Sequence, residues 1–295
     1  MLGIGLFWQL IGRLGLFFLI PKLKSKINSI GPYDKTGILM TPTPEVLWQE
    51  QGILFVDYES LAHSLWRSQE FSLFARYRRY ISSPVMDFGC GDGSFSSMLF
   101  EKVDLGVDVD PNALKEAESR NLYTELIPAG KLHILADSCL STIICNSVLE
   151  HVENLSEILM QFNRLLKPGG HLVFTIPNNN YTKHLAKYFG KKTASLVNLE
   201  SSHRNMLDPA ELLSLVEKHG FRTEIKVLYQ PERYTFAYIM SRFLGKRGIG
   251  MLSARLKYLV LAIFKKKIIS SVLTSINGAG DGANSFLIAS KIDPM

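Results

Sequence analysis

Residues 85–93 read Val-Met-Asp-Phe-Gly-Cys-Gly-Asp-Gly, and Gly-Val-Asp-Val-Asp follows at 106–110. Gly89, Gly91 and Gly93 let the main chain turn sharply and approach a ligand where a Cβ would collide. Asp108 follows Gly89 by nineteen residues, a spacing at which a carboxylate can accept two hydrogen bonds from the cis-diol of a ribose. The chemistry this predicts is recognition of a nucleoside. Three elements must hold those groups. Apolar Val85, Met86 and Phe88 suit a buried parallel strand before the glycines. A helix starting near Gly93 would aim its free N–H groups at the ligand. A second strand would then end at Asp108.

Asp87 selects among nucleosides. Taken alone, Gly89-x-Gly91-x-x-Ser94 is a near miss to the dinucleotide fingerprint and weak evidence. A carboxylate two residues before the first glycine repels a pyrophosphate but suits the amino group of a zwitterionic amino acid. A nucleoside carrying an amino-acid tail and a cationic sulfonium meets those demands better than NAD. That description is S-adenosylmethionine. An oxidoreductase is the weaker alternative.

Four segments, Asp-Phe-Gly-Cys-Gly-Asp-Gly-Ser-Phe (87–95), Gly-Val-Asp-Val-Asp-Pro (106–111), Asn-Ser-Val-Leu-Glu-His-Val (146–152) and Leu-Leu-Lys-Pro-Gly-Gly-His-Leu-Val-Phe-Thr-Ile-Pro (165–177), together resemble the class I S-adenosylmethionine-dependent methyltransferases. The likeness is to the bacterial type 11-like group whose fourth strand is followed by Leu-Glu-His. It covers about residues 60–230 and a last strand near the C-terminus. It implies S-adenosylmethionine as cofactor, with Gly89, Cys90 and Gly91 around the methionine moiety and Asp87 near its amino group. Asp108 would hold the ribose hydroxyls, Val109 would pack on the adenine, and Asn146 would line the methyl. The family's adenine-facing acidic residue after strand three has no clear counterpart. Gly130 occupies its place in one alignment, leaving Asp137 as a turn residue; Asp137 and a backbone N–H near Gly130 are alternative adenine contacts.

The resemblance also implies a doubly wound, seven-stranded α/β Rossmann-like sheet, mostly parallel with an antiparallel last strand. Alternation of apolar runs and helical patterns agrees. Strands are predicted near 84–88, 103–108, 123–128, 141–146, 171–176, 221–229 and 284–290. Helices are predicted near 94–101, 111–121, 153–166 and 208–219, with Asn178-Asn179-Asn180 opening a loop. The methyltransferase domain is assigned to 45–230 and 284–292. Trp66, Arg67 and Glu70 fall on a preceding helix resembling a lid segment, where Trp66 reads more readily as core.

Methyl transfer needs a base only when the acceptor must lose a proton. Glu150, His151 and His203 lie on the predicted ligand face, with Tyr181 farther out. His151 and His203 are the candidate catalytic residues; orienting the adjacent loop is the structural alternative for His151.

The 295 residues, 46% hydrophobic, suffice for one large or two ordinary domains. Cys90, Cys139 and Cys145 lack paired metal-ligand spacing, so no disulfide or metal site is expected, which suits the cytoplasm. The net charge of +6 and pI near 9.1 gather toward the two ends. Residues 1–20 form an apolar run broken by Gln9 and Arg13, with Lys22, Lys24 and Lys26 after it. Arg13 at mid-run costs about 2.5–3.5 kcal/mol in a bilayer, favouring a helix in the membrane interface (1–30) over a span. A basic amphipathic insert is predicted at 231–283, as a cap over the site or a membrane contact. Expected partners are a small-molecule acceptor and an anionic membrane surface touched by 1–26 and 231–283. Nucleic acid is not favoured, because the aromatics are not spaced as a stacking platform. The leading expectation is an enzyme peripheral on the inner membrane face, acting on a lipid-linked or amphipathic acceptor. A soluble enzyme of small metabolites and a noncatalytic membrane or partner-binding module are the alternatives.

Overall fold

The computed structural model describes residues 61–244, 274–278 and 280–292. Helix α1 (Leu61–Arg76) precedes a sheet built from β1 (Val85–Phe88), β2 (Val103–Asp108), β3 (Tyr123–Pro128), β4 (Leu140–Asn146), β5 (Leu166–Pro177), β6 (Phe221–Tyr229) and β7 (Asn284–Lys291). The strand order is β3-β2-β1-β4-β5-β7-β6. β7 runs antiparallel to both β5 and β6, and the pairs from β3 through β5 are parallel. The C-terminal ends of β1, β2 and β4 therefore share one edge, where ligands of such sheets bind.

Successive strand residues face opposite sides, and the two sides carry separate cores. Met86, Phe88, Val107, Ile143 and Cys145 pack under α3 (Leu155–Leu165) and α6 (Pro209–Lys218). Val85, Val103, Ile144 and Val173 pack under α1, whose Phe71, Leu73 and Phe74 are buried. α3 buries Leu155, Leu159, Phe162 and Leu165 on one stripe and starts at Asn154, whose side chain accepts from Glu157 N. Helix α6 begins at a full capping box, Asp208 with Glu211, followed by Pro209. Asp208→Ala should cost about 1 kcal/mol of stability, read as a lower urea midpoint with an unchanged m-value.

Two predicted segments differ. In place of a helix over 94–101 there is a three-residue 3-10 turn, Ser96–Met98, so no α-helix starts directly after the glycine loop. The serines explain it: Ser94 Oγ bonds Asp92, Ser96 Oγ bonds Asp87 and Ser97 Oγ bonds Ser94 O, and such local bonds compete with helical ones. The predicted loop after Pro177 is two helices, α4 (Asn179–Phe189) and α5 (Lys191–Glu200). Asn178 caps α4, its Oδ1 accepting from Asn180 N at 2.9 Å.

Of the predicted 231–283 insert, the first part is helix α7 (Glu232–Leu244). It packs on α4 through Lys187–Glu232 at 2.7 Å and on α1 through Trp66–Tyr238, ring centroids 4.8 Å apart. Residues 245–273, and the predicted helix and basic run over 1–30, lie outside the described residues. Among the described residues no helix is long and apolar enough to cross a membrane.

Candidate active site

At the end of β1 the chain turns through Gly89, Gly91 and Gly93, with φ of 75°, 54° and 76°. Gly89 N and Cys90 N donate to Val107 O at 2.7 and 3.0 Å, tying the loop to β2. Gly91 N donates to Asp108 Oδ2 at 2.8 Å and Asp110 N to Asp108 Oδ1 at 2.9 Å. These two bonds orient the Asp108 carboxylate, and each oxygen keeps a lone pair for a further donor. Among the described residues a Cβ on Gly91 would meet nothing within 4 Å, so they leave the loop open on that side. Val109, beside Asp108, is 83% exposed, an apolar side chain offered to a flat ring. An open cradle, an oriented carboxylate and an exposed apolar neighbour fit a nucleoside methyl donor.

Asp87 is buried beneath this loop. Its Oδ2 accepts from Ser96 Oγ at 2.6 Å and Tyr123 OH at 2.7 Å. Burial outweighs these bonds and raises its carboxyl to about 6, with Asp108 adding to the rise. Burial likewise pushes the Cys90 thiol well above its ordinary value, so it stays a neutral packing group. The structure therefore surrounds Asp87 as a brace of the loop. Ser96 and Tyr123 were not legible as site residues, since nothing local marks their pairing with Asp87. A second clamp comes from the end of α2 (Pro111–Ser119), where Arg120 Nη2 bonds Asp92 Oδ2 at 2.7 Å.

The end of β4 supplies the next group. Asn146 Nδ2 donates to Glu70 Oε2 at 3.0 Å and Asn146 Oδ1 accepts from Thr175 Oγ1 at 2.7 Å. Beyond it, Glu150, His151 and His203 place one ligand atom each within 4.8 Å of the others. The backbone carbonyl of Glu150 accepts from Arg204 N at 2.7 Å and Asn205 N at 3.1 Å, which carries His203 over the β4 terminus. The His151 and His203 rings are 5.5 Å apart, and Tyr181 lies 5.7 Å from His203. His151 is exposed, its Nδ1 against Ser202 O at 3.2 Å. The sequence-predicted pair thus meets in space, with buried Tyr181 behind it.

Glu150 differs from its histidine neighbours. It is 2% exposed, its Oε2 has no hydrogen-bond partner among the described residues, and burial raises its carboxyl to about 8. At neutral pH it holds a proton and is not the resting base. Because its folded value lies above its ordinary 4.5, the folded protein retains a proton the unfolded chain releases. Its contribution to stability is full below about pH 4.5 and is lost as pH rises toward about 8. Glu150→Gln should flatten that fall and raise stability at pH 8 by up to about 4 kcal/mol. Urea midpoints of both proteins between pH 5 and 8 check this; parallel curves would contradict it.

Asp137 is one of the two alternative adenine contacts. It precedes β4, at the sheet edge opposite the glycine cradle, and pairs with Arg164 Nη1 at 2.6 Å while 76% exposed. The turn before a parallel strand lies at the wrong end of that strand to reach a ligand over its C-terminus. Gly130 is better placed: it follows β3 directly, in a 3-10 turn over Ala129–Ile134, and Asp108 pairs with Pro128 across the strands. A separate cleft of about 510 Å³, lined by Arg76, Lys226 and Asn277 among others, contains none of the candidate residues.

A family profile described as "Methyltransferase domain" matches residues 22–224. A ubiquinone biosynthesis O-methyltransferase from Vibrio atlanticus (strain LGP32) is 27% identical over 147 residues, 45% of this chain and 60% of that protein. Its namesake from Burkholderia pseudomallei (strain 1710b) is 29% identical over 166 residues, 52% of this chain and 71% of that protein. The chain thus spans between 60% and 71% of these relatives. In fold it is similar to a putative sarcosine dimethylglycine methyltransferase from Galdieria sulphuraria, with TM-score 0.52 at 16% identity over 80% of this chain and 88% of the other. A possible histamine N-methyltransferase from Thermotoga maritima gives TM-score 0.50 at 15% identity, over 85% and 100% of the two chains.

Proposed function

Because the chain belongs to the family defined by that methyltransferase domain, matched over residues 22–224, we propose that it moves a methyl group from S-adenosylmethionine to a small, lipid-linked or amphipathic acceptor at a membrane surface. The observation that carries the donor half is the open glycine cradle set against an oriented Asp108. When bound, the donor supplies a methyl already activated on a sulfonium. The protein's own contribution is orientation and exclusion of water. Gly89, Cys90 and Gly91 approach the donor with backbone, Asp108 and Val109 hold its nucleoside, and Asn146 lines the reacting side. Asp87 fixes the loop from beneath through Ser96 and Tyr123 and offers its carboxyl group to the donor's amino group.

An oxygen acceptor must lose a proton as the bond to carbon forms. His203 and His151 stand where such a proton could be taken, with Glu150 as a neutral carboxylic acid next to them. The names of the relatives, ubiquinone biosynthesis O-methyltransferases, favour oxygen as the acceptor atom and a prenylated ring as its carrier. Support for an amphipathic acceptor also comes from exposed apolar side chains on these helices: Tyr188 on α4, Leu199 on α5 and Phe236 on α7 are 45%, 75% and 38% exposed. The apolar and basic segments 1–26 and 231–283 add the membrane contact.

The test is methyl transfer by the full chain, given donor labelled in the methyl group and anionic liposomes carrying a bacterial lipid extract. The proposal expects label in the organic phase and protein floating with the liposomes. Label confined to water-soluble products, with protein left in the soluble fraction, would replace it with a soluble metabolite enzyme.

A further inference from the structure

We propose that Glu70, on helix α1, is a positioning residue that fixes the Asn146–Ser147 end of β4 in the conformation facing the donor. This rests on the donor reading above and extends it to a helix outside the glycine motif. Glu70 is fully buried and both its oxygens are doubly engaged. Oε1 accepts from Ser147 Oγ at 2.7 Å and Tyr229 OH at 3.3 Å; Oε2 accepts from Arg67 Nη1 at 2.6 Å and Asn146 Nδ2 at 3.0 Å. One carboxylate therefore joins α1, the end of β4 and the end of β6.

Two features at β4 show what this joint accomplishes. Asn146 is held at both ends of its amide, by Glu70 and by Thr175 Oγ1 at 2.7 Å, so its orientation is fixed. Ser147 has φ of 54°, a left-handed conformation that L side chains adopt rarely and that persists only when its surroundings over-determine it. Its surroundings do so here: Ser147 N donates to Thr175 Oγ1 at 2.9 Å while its hydroxyl is taken by Glu70. Burying a carboxylate is costly unless it is paired and bonded, and an apolar residue would anchor α1 as well. The carboxylate is explained by the four donors it holds, two of them at the end of β4.

Calorimetric titration of the full chain with S-adenosylhomocysteine, alongside thermal unfolding, decides the matter. Glu70→Gln keeps the shape but points an amide N–H₂ at groups that are themselves donors, and should weaken binding about tenfold or more at temperatures where the variant is folded. Adding Ser147→Gly removes both the hydroxyl and the strained φ, and should restore most of the affinity without restoring the unfolding temperature. A merely structural Glu70 would not be rescued in that way. Should Glu70→Gln not fold, Glu70→Asp, which withdraws the oxygens and keeps the charge, is held to the same criteria. Wild-type binding with Glu70→Gln within about twofold of it, or a double variant as weak as the single, overturns this inference alone. No binding by the wild type overturns the donor reading and this inference with it.

Discussion

Asp108→Ala is expected to weaken S-adenosylhomocysteine binding about 100-fold or more while leaving the protein folded. The carboxylate is positioned by Gly91 N and Asp110 N at 2.8 and 2.9 Å, which leaves one lone pair on each oxygen for the two ribose hydroxyls. Hydrogen bonds to a charged group contribute about 1.5–3 kcal/mol each, and two of them account for that factor. Alanine also frees the loop, because Gly91 N loses its partner. Asp108→Asn keeps the shape and one acceptor and should lose about tenfold. Calorimetry reads the affinities and thermal unfolding the fold; an alanine variant within threefold of the wild type would remove Asp108 from the site.

Gly89→Ala is expected to produce the largest loss of stability among changes in the loop. A Cβ there would sit 2.3 Å from Val148 Cγ2 and 2.7 Å from Cγ1, at φ of 75°. The left-handed conformation costs about 1–2 kcal/mol for an L-residue, and overpacking adds about 1–3 kcal/mol, for a total near 2–5 kcal/mol. Donor binding should fall with it, since relief requires the loop to move off β2. Val148→Ala in the same chain removes the clash but not the φ cost, and should recover about half of the loss. By contrast, a Cβ on Gly130 meets nothing within 4 Å among the described residues, so Gly130→Ala should be nearly neutral in urea denaturation.

The donor half was legible because its signals are local. Glycines at 89, 91 and 93 and Asp108 nineteen residues on are spacings that a strand, turn and strand convert directly into proximity. The seven strands were legible for the same reason, as apolar runs bounded by glycine, proline and asparagine. What failed was local competition and long-range pairing. The serines at 94, 96 and 97 turned an expected helix into a 3-10 turn by bonding their neighbours. Asn178 could have been read as a helix cap instead of a loop start, and α4 and α5 with it. Glu70 meets Asn146 across 76 residues and Tyr229 across 159, and no pattern in the sequence connects them. Between Asp137 and a backbone N–H near Gly130 the sequence left the adenine contact open, because alignment to a turn does not say which end of the sheet the turn occupies.

The most direct measurement is calorimetric titration of the purified full chain with S-adenosylhomocysteine and, separately, with NAD. Both ligands carry an adenosine that Asp108 could hold, but only one carries the amino-acid tail that the loop over Asp87 favours. Saturable binding of one S-adenosylhomocysteine per chain, with no heat from NAD, is the result expected of a methyl-donor site. Binding of NAD, or of neither ligand, would contradict it.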